Sequence, residues 1–128
     1  MIHQIGQVML YVNDQEQAKA FWTEKLGFYV VSEEDIEGMR WIEMATANHA
    51  GTTIILQDKD LAARLSPEQN LVSPSLVFFT EDLEALYDDL IDREVTVGEM
   101  LQMPTGKVFH FADHEGNYFA VMESKEMG

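Results

Sequence analysis

VMLYVNDQEQAKAFWTEKLGF, residues 8–28, is the stretch whose reading decides the fold. It opens inside the alternating segment IGQVMLYV (5–12), which has the period of a half-buried strand. The period then changes. Asn13 or Asp14 offers an N-cap, and Asp14 with Gln17 has capping-box spacing. From Asp14 to Leu26, the residues Ala18, Phe21, Trp22 and Leu26 share one helical stripe, and Gly27 supplies a C′ residue that can turn left-handed. A strand running directly into an amphipathic helix with both ends marked is the expectation.

Outward from this unit, three further strands are expected at 28–32, 39–45 and 52–57, with turns at 33–38 and 48–51 between them. Residues 58–73 read as a connector with one helical turn at 61–65, broken before Pro67. The pattern then restarts. SLVFFTED (75–82) falls on QVMLYVND (7–14) with an offset of 68, and Leu83, Leu86, Leu90 and Ile91 mark a second helix. Strands at 96–98, 108–111 and 118–123, with turns at 100–106 and 113–117, complete the second half. Asp113 and Gly116 read as the devices of the last turn, the Asp capping and the Gly taking a positive φ. Repetition of a whole β-α-β-β-β unit is the strongest organisational signal in the chain. One position breaks it: Gly27 corresponds to Glu94, which predicts a less regular end to the second helix. The chain thus reads as a single domain over 1–128, with module one at 1–57, the connector at 58–73 and module two at 74–128.

Bulk properties narrow the function. A chain of 128 residues with 46% hydrophobic content suits one globular domain. There is no cysteine, which excludes disulfides, thiolate metal sites and a cysteine nucleophile. Eight Lys+Arg against 23 Asp+Glu give a net charge of -15, a surface that repels nucleic acid and anionic membranes. Such charge attracts a cationic ligand, or merely keeps the protein dispersed. No apolar run approaches the ~20 residues of a membrane span, and the opening MIHQIGQVMLYV lacks the basic start and long apolar stretch of a signal peptide. A cytoplasmic protein is expected.

Two motifs carry a family resemblance over nearly the whole chain. VMLYVNDQEQAKAFWTEKLGF (8–28) resembles the strand–helix opening of the vicinal-oxygen-chelate superfamily, which includes glyoxalase I, extradiol dioxygenases, fosfomycin-modifying enzymes and bleomycin-resistance proteins. GKVFHFADHEGNYFAVME (106–123) resembles its closing strand–turn–strand, although His114 and Glu115 stand where the family usually has Pro and Asp. The resemblance implies an α+β fold in which two βαβββ modules form a curved mixed β-sheet cup with the helices outside. It also implies four metal-ligand positions, here Gln7, Ile55, Ser75 and Ala120. Gln7 alone is a competent donor, Ser75 is a poor neutral one, and Ile55 and Ala120 cannot ligate. No metal or other cofactor is therefore expected.

Strand alternation from those anchors extends the inward set to Met9, Tyr11, Thr53, Gln57, Val77, Phe79, Tyr118 and Met122. The same resemblance places His110 inward with Val108, and Trp41 and Glu43 follow if Ile42 and Met44 meet the helix. The expected ligand-binding residues are thus Gln7, Tyr11, Trp41, Glu43, Ile55, Ser75, Phe79, His110, Tyr118 and Ala120, an aromatic lining with a few polar groups. A side-chain-filled interior with no ligand is the alternative. His110 is a candidate general acid/base, or a histidine that merely orients a neighbour. Glu43 is its candidate partner, a counter-charge for a cationic ligand, or a solvated carboxylate. Lys107 is placed to reach over the mouth. His3, His49 and His114 lack metal-ligand spacing.

The expected function is metal-independent binding of a small molecule, cationic or aromatic, nearest the bleomycin-resistance type. The alternative is a glyoxalase-, dioxygenase- or isomerase-like enzyme acting through His110 and Glu43 or a metal. The resemblance further implies a homodimer, and the acidic charge leaves no nucleic-acid or membrane partner expected.

Overall fold

The computed structural model describes residues 1–46, 51–65 and 71–124. The chain divides into two compact units, Met1–Pro74 and Ser75–Gly128, each built on one four-stranded mixed sheet. The architecture is α+β.

In the first unit the strands are β1 (Gln7–Val12), β2 (Tyr29–Ile36), β3 (Met39–Ala45) and β4 (Thr53–Asp58), in spatial order β1-β4-β3-β2. β1 runs parallel to β4, and the remaining pairs are antiparallel. The helix α1 (Gln15–Ala20) follows β1 directly. Asp14 is its N-cap, with Oδ1 accepting from the Gln17 amide at 3.0 Å. The expected single helix to Leu26 instead widens into a π-helical turn over Phe21–Lys25. That turn sets Trp22, fully buried, edge-on to Phe28 at 5.2 Å between ring centroids. Gly27 then takes φ +80, as its C′ position requires.

Alternation decides which face α1 covers. Arg40, Ile42 and Met44 lie on one side of β3, and Arg40 Nη2 reaches Glu16 of α1 at 2.6 Å. Leu10, Val12, Ile42, Met44, Ile54 and Leu56 are buried on that side with Ala18 and Trp22. The Gln15 side-chain amide also donates to the Arg40 carbonyl at 2.8 Å and the Leu56 carbonyl at 3.1 Å, tying the first turn of α1 to β3 and β4. A short helix α2 (Lys59–Leu65) begins two residues before the expected 61–65 turn, and Asp58 Oδ1 accepts from the Leu61 amide. The expected turn at 48–51 and the break before Pro67 fall largely or wholly outside the described residues.

The second unit repeats the plan. Its strands are β5 (Val77–Thr80), β6 (Leu101–Met103), β7 (Gly106–Ala112) and β8 (Tyr118–Glu123), in order β5-β8-β7-β6, with β5 parallel to β8. The helix α3 (Leu83–Asp92) is capped by Asp82, whose Oδ1 accepts from the Ala85 amide at 3.0 Å. Tyr87 of α3 meets Phe109 edge-on at 4.9 Å, so α3 packs on the Phe109 face of the sheet. Phe78, Phe111 and Phe119 form a ring cluster in this unit.

Three expectations are corrected here. Residues 96–98 are not a strand: Val97 makes only an isolated bridge to Phe111, and the fourth strand is Leu101–Met103, inside the expected turn. The turn is confined to Pro104 and Thr105, with Gly106 at φ +131 opening β7, and this leaves the alternating Leu101–Gln102–Met103 free to pair. The end of α3 is regular. Glu94 takes φ +64, its amide donates to the Ile91 carbonyl, and the Val95 amide donates to the Leu90 carbonyl. These are the two bonds of a Schellman cap, formed without glycine. Ile91 lies off the buried stripe and is exposed.

Candidate functional site

Each unit leaves one sheet face turned away from its helix, and the expected site residues lie on these two faces. In the first unit the central row is Met9–Ile55–Glu43–Ser32, read directly from the strand registers. Gln7 pairs with Thr53 on one side of it, and Tyr11 with Gln57 and Trp41 with Glu34 on the other. Tyr11, Trp41 and Glu43 are half-buried and Gln7 is exposed. Ile55 has no exposed surface, so its side chain supports its neighbours and presents nothing to a ligand.

Glu43 is the organised polar group of this face. Its Oε2 accepts from the Thr53 hydroxyl at 2.6 Å and its Oε1 from the Ser32 hydroxyl at 3.2 Å. Thr53 was legible as an inward residue from strand alternation. Ser32 was not, because the register of β2 shifts between Val30 and Ser32. A β-bulge there turns Ser32 onto the face of Glu43, and no glycine or proline in the segment signals it.

The opposite face of the same sheet carries a different network. Glu33 accepts from Lys19 at 2.8 Å and also pairs with Arg40, which itself reaches Glu16. The hydrogen bond from Lys19, then that from Arg40, holds the Glu33 carboxyl below its ordinary value of 4.5. Bonds to Glu16 and then Glu33 raise Arg40. These charges fasten α1 to β2 and β3 and point away from the Glu43 face.

In the second unit, Val108 pairs with Met122, which pairs with Phe79, and His110 pairs with Ala120, which pairs with Val77. Ala112 pairs with Tyr118, and Leu101 of β6 pairs with Val108. His110 is exposed on this face among Val77, Phe79, Leu101 and Tyr118, all exposed apolar or aromatic side chains. Leu101 and Met103 were missed because their strand was read as a turn. Ser75 is exposed and precedes β5, so only the alternation of Ser75, Val77 and Phe79 aligns it with the face. Glu43 and His110 belong to different units.

Lys107 does not serve a ligand face. It points to the helix side of β7, where Nζ lies 3.3 Å from Glu84 of α3. It borders a cleft of about 750 Å³ that also includes Asp82, Glu84, Thr105 and Glu123. The carboxylates there have structural partners: Asp82 caps α3, Glu123 Oε1 accepts from the Leu83 amide at 2.9 Å, and Glu84 pairs with Lys107. In the last turn Asp113 Oδ1 accepts from the Glu115 and Asn117 amides, with Gly116 at φ +83. His114 Nε2 lies 3.2 Å from Glu115, His3 is exposed near the amino terminus, and His49 falls outside the described residues. Among the described residues no group of three or more His, Asp or Glu is placed to hold a metal ion.

Comparison with known proteins decides the family. The model of the glyoxalase/bleomycin resistance protein/dioxygenase superfamily matches residues 4–121. The chain belongs to this superfamily. Among solved structures, it is similar to TnmS3, an antibiotic binding protein from Streptomyces sp. CB03234, with a TM-score of 0.81 and 26% identity, covering 97% of this chain and 98% of that one. UcmS2 is similar at a TM-score of 0.80 and 28% identity, covering 97% and 100%. The uncharacterized protein YetH of Bacillus subtilis (strain 168) is 37% identical over 125 residues, 96% of this chain and all of YetH.

The four metal-ligand positions that the motif resemblance implied are Gln7, Ile55, Ser75 and Ala120. These residues do not fit a metal: Ile55 is a buried hydrocarbon, Ala120 has no donor atom, and Ser75 lies before its strand.

Proposed function

We propose that this superfamily member binds a small aromatic or cationic compound and sequesters it without a metal. The observation that carries the reading is the face away from α1, where half-buried Tyr11 and Trp41 lie on one side of a carboxylate held by two hydroxyls. Aromatic surface with a few fixed polar groups is the usual make-up of a small-molecule site. The hydrocarbon side chains at two of the four metal positions support metal independence. The likeness to TnmS3, an antibiotic binding protein, supports sequestration.

A thermal-shift screen of aromatic compounds with and without a chelator tests this. Saturable stabilisation that survives the chelator is the expected result. Stabilisation only by divalent metals, or only when a metal accompanies the compound, contradicts it.

The exposed position of His110 among apolar side chains motivates an enzymatic second reading, in which the imidazole moves a proton on a bound substrate. For a compound found by the screen to be chemically converted, His110→Ala separates the two: lost turnover at preserved affinity favours catalysis, and weakened binding alone favours sequestration. We further propose a cytoplasmic homodimer. No helix among the described residues is long and apolar enough to cross a membrane. The exposed Val77, Phe79, Leu101, Met103 and Tyr118 supply apolar surface that a second copy can cover. Light scattering at micromolar protein returns twice the chain mass if so, and the monomer mass if not.

A further inference from the structure

We propose that Glu43 is the seat of a protonated amine or guanidinium carried on an aromatic ligand, a reading that rests on small-molecule binding at the face away from α1. The charge on Glu43 is held in place without being cancelled. Ser32 and Thr53 each donate one hydroxyl hydrogen bond to it, at 3.2 and 2.6 Å. A carboxylate offers about four acceptor sites, so two hydroxyls leave capacity for a further donor on each oxygen. Hydroxyls orient the carboxylate and bring no positive charge. Among the described residues no Lys, Arg or His forms an ion pair with Glu43.

The contrast with Glu33 in the same sheet is direct. Glu33 faces α1 and meets two cations, Lys19 and Arg40, which complete its charge within the fold. Glu43 faces the other way, half-buried in the central row between Ile55 and Ser32, and meets no cation among the described residues. A partly desolvated carboxylate without a counter-charge is costly, and a ligand cation relieves that cost through charge-assisted hydrogen bonds.

The neighbours select the rest of the ligand. Trp41 lies two residues along β3 on the same face, about 7 Å from Glu43 at strand rise. An aromatic ring stacked on Trp41 therefore places a substituent one or two bonds long within reach of the carboxylate. The indole face also attracts the ligand cation. A net charge of -15 raises the local concentration of such cations around the whole protein.

The test is a calorimetric titration with three probes of one ring size: 1-naphthylmethylamine (protonated), 1-naphthylmethanol (neutral) and 1-naphthoate (anionic). The wild-type protein is expected to bind the amine at least about tenfold more tightly than the alcohol, the scale of one hydrogen bond to a charged group. Naphthoate is expected to bind weakest, and added salt is expected to weaken the amine more than the alcohol. Glu43→Gln keeps the shape and one acceptor, and is expected to bring the amine down to the alcohol's affinity while leaving the alcohol within about twofold. Glu43→Asp, which keeps the charge on a shorter arm, restores part of the preference. Equal wild-type affinity for amine and alcohol, or an amine preference that survives Glu43→Gln, overturns the amine seat and leaves small-molecule binding standing. Failure of the wild type to bind any of the three rings overturns both. The probe ladder needs no variant, so it stays decisive if a substitution at Glu43 prevents folding.

Discussion

Glu94 sits at φ +64, in the left-handed region where a side chain is strained and glycine is not. The repeat at 68 residues had matched it to Gly27, which takes φ +80 at the same point of the first unit. The sequence mismatch was read as an irregular helix end, whereas the backbone keeps the cap and accepts the strain. Two amide bonds, Glu94 to Ile91 and Val95 to Leu90, hold it there. Glu94→Gly is therefore expected to raise stability by roughly 0.5–1 kcal/mol in chemical denaturation, and Gly27→Ala to lower it by a similar amount. A destabilising Glu94→Gly would mean that the carboxylate makes a compensating interaction. Capping residues were the most legible features at this scale. Asp14, Asp82 and Asp113 each do what short polar side chains ahead of a helix or in a turn are expected to do.

At the scale of elements, legibility followed periodicity. Strands at 39–45 and 118–123 stand where alternation put them. β6 was missed because three residues are too few to show a period, and the bulge at Val31 was missed because a bulge is a count of residues against a partner strand that the sequence does not display. The bulge matters, since it brings Ser32 to Glu43.

The seam between α1 and its sheet carries a pH signature. Glu33 has its folded-state pKa lowered by Lys19 and Arg40, so its pairing stabilises the fold above the ordinary carboxylate value of 4.5. That contribution is lost as pH falls through the lowered value. The side chains involved are about a third exposed, and screening keeps the gain below about 1 kcal/mol. Glu33→Gln is accordingly expected to be slightly less stable than wild type at pH 7 and to converge with it in urea titrations as pH falls below the ordinary carboxylate value and through the lowered one. A gap that widens with acid would contradict this assignment. Trp22, fully buried between Phe21 and Phe28, is the larger anchor of the same seam. Trp22→Ala is expected to cost roughly 3–5 kcal/mol, read as a fall in the urea midpoint. A loss under about 1 kcal/mol would show that the π-turn is held by other contacts.

At the scale of the whole molecule, the internal repeat foretold two units built on one plan, and the two motifs foretold the superfamily. The two faces turned away from the helices were legible to the extent that alternation is. The state of their side chains was not: a buried Ile55 in one unit and an exposed Phe79 in the other come from strand positions that look alike in the sequence. The charge of -15 left a cationic ligand and simple dispersal of the protein both open, and pointed to no residue.

The most direct test of metal-free binding at the Glu43 face uses the two tryptophans of the chain as reporters. Trp41 is half-buried on the face of Glu43, and Trp22 is fully buried under α1. In chelator-treated, 15N-labelled protein, titration with 1-naphthylmethylamine is expected to shift the Trp41 indole resonance saturably and leave that of Trp22 in place. A Trp41 resonance that stays fixed until a divalent metal is added would contradict the account.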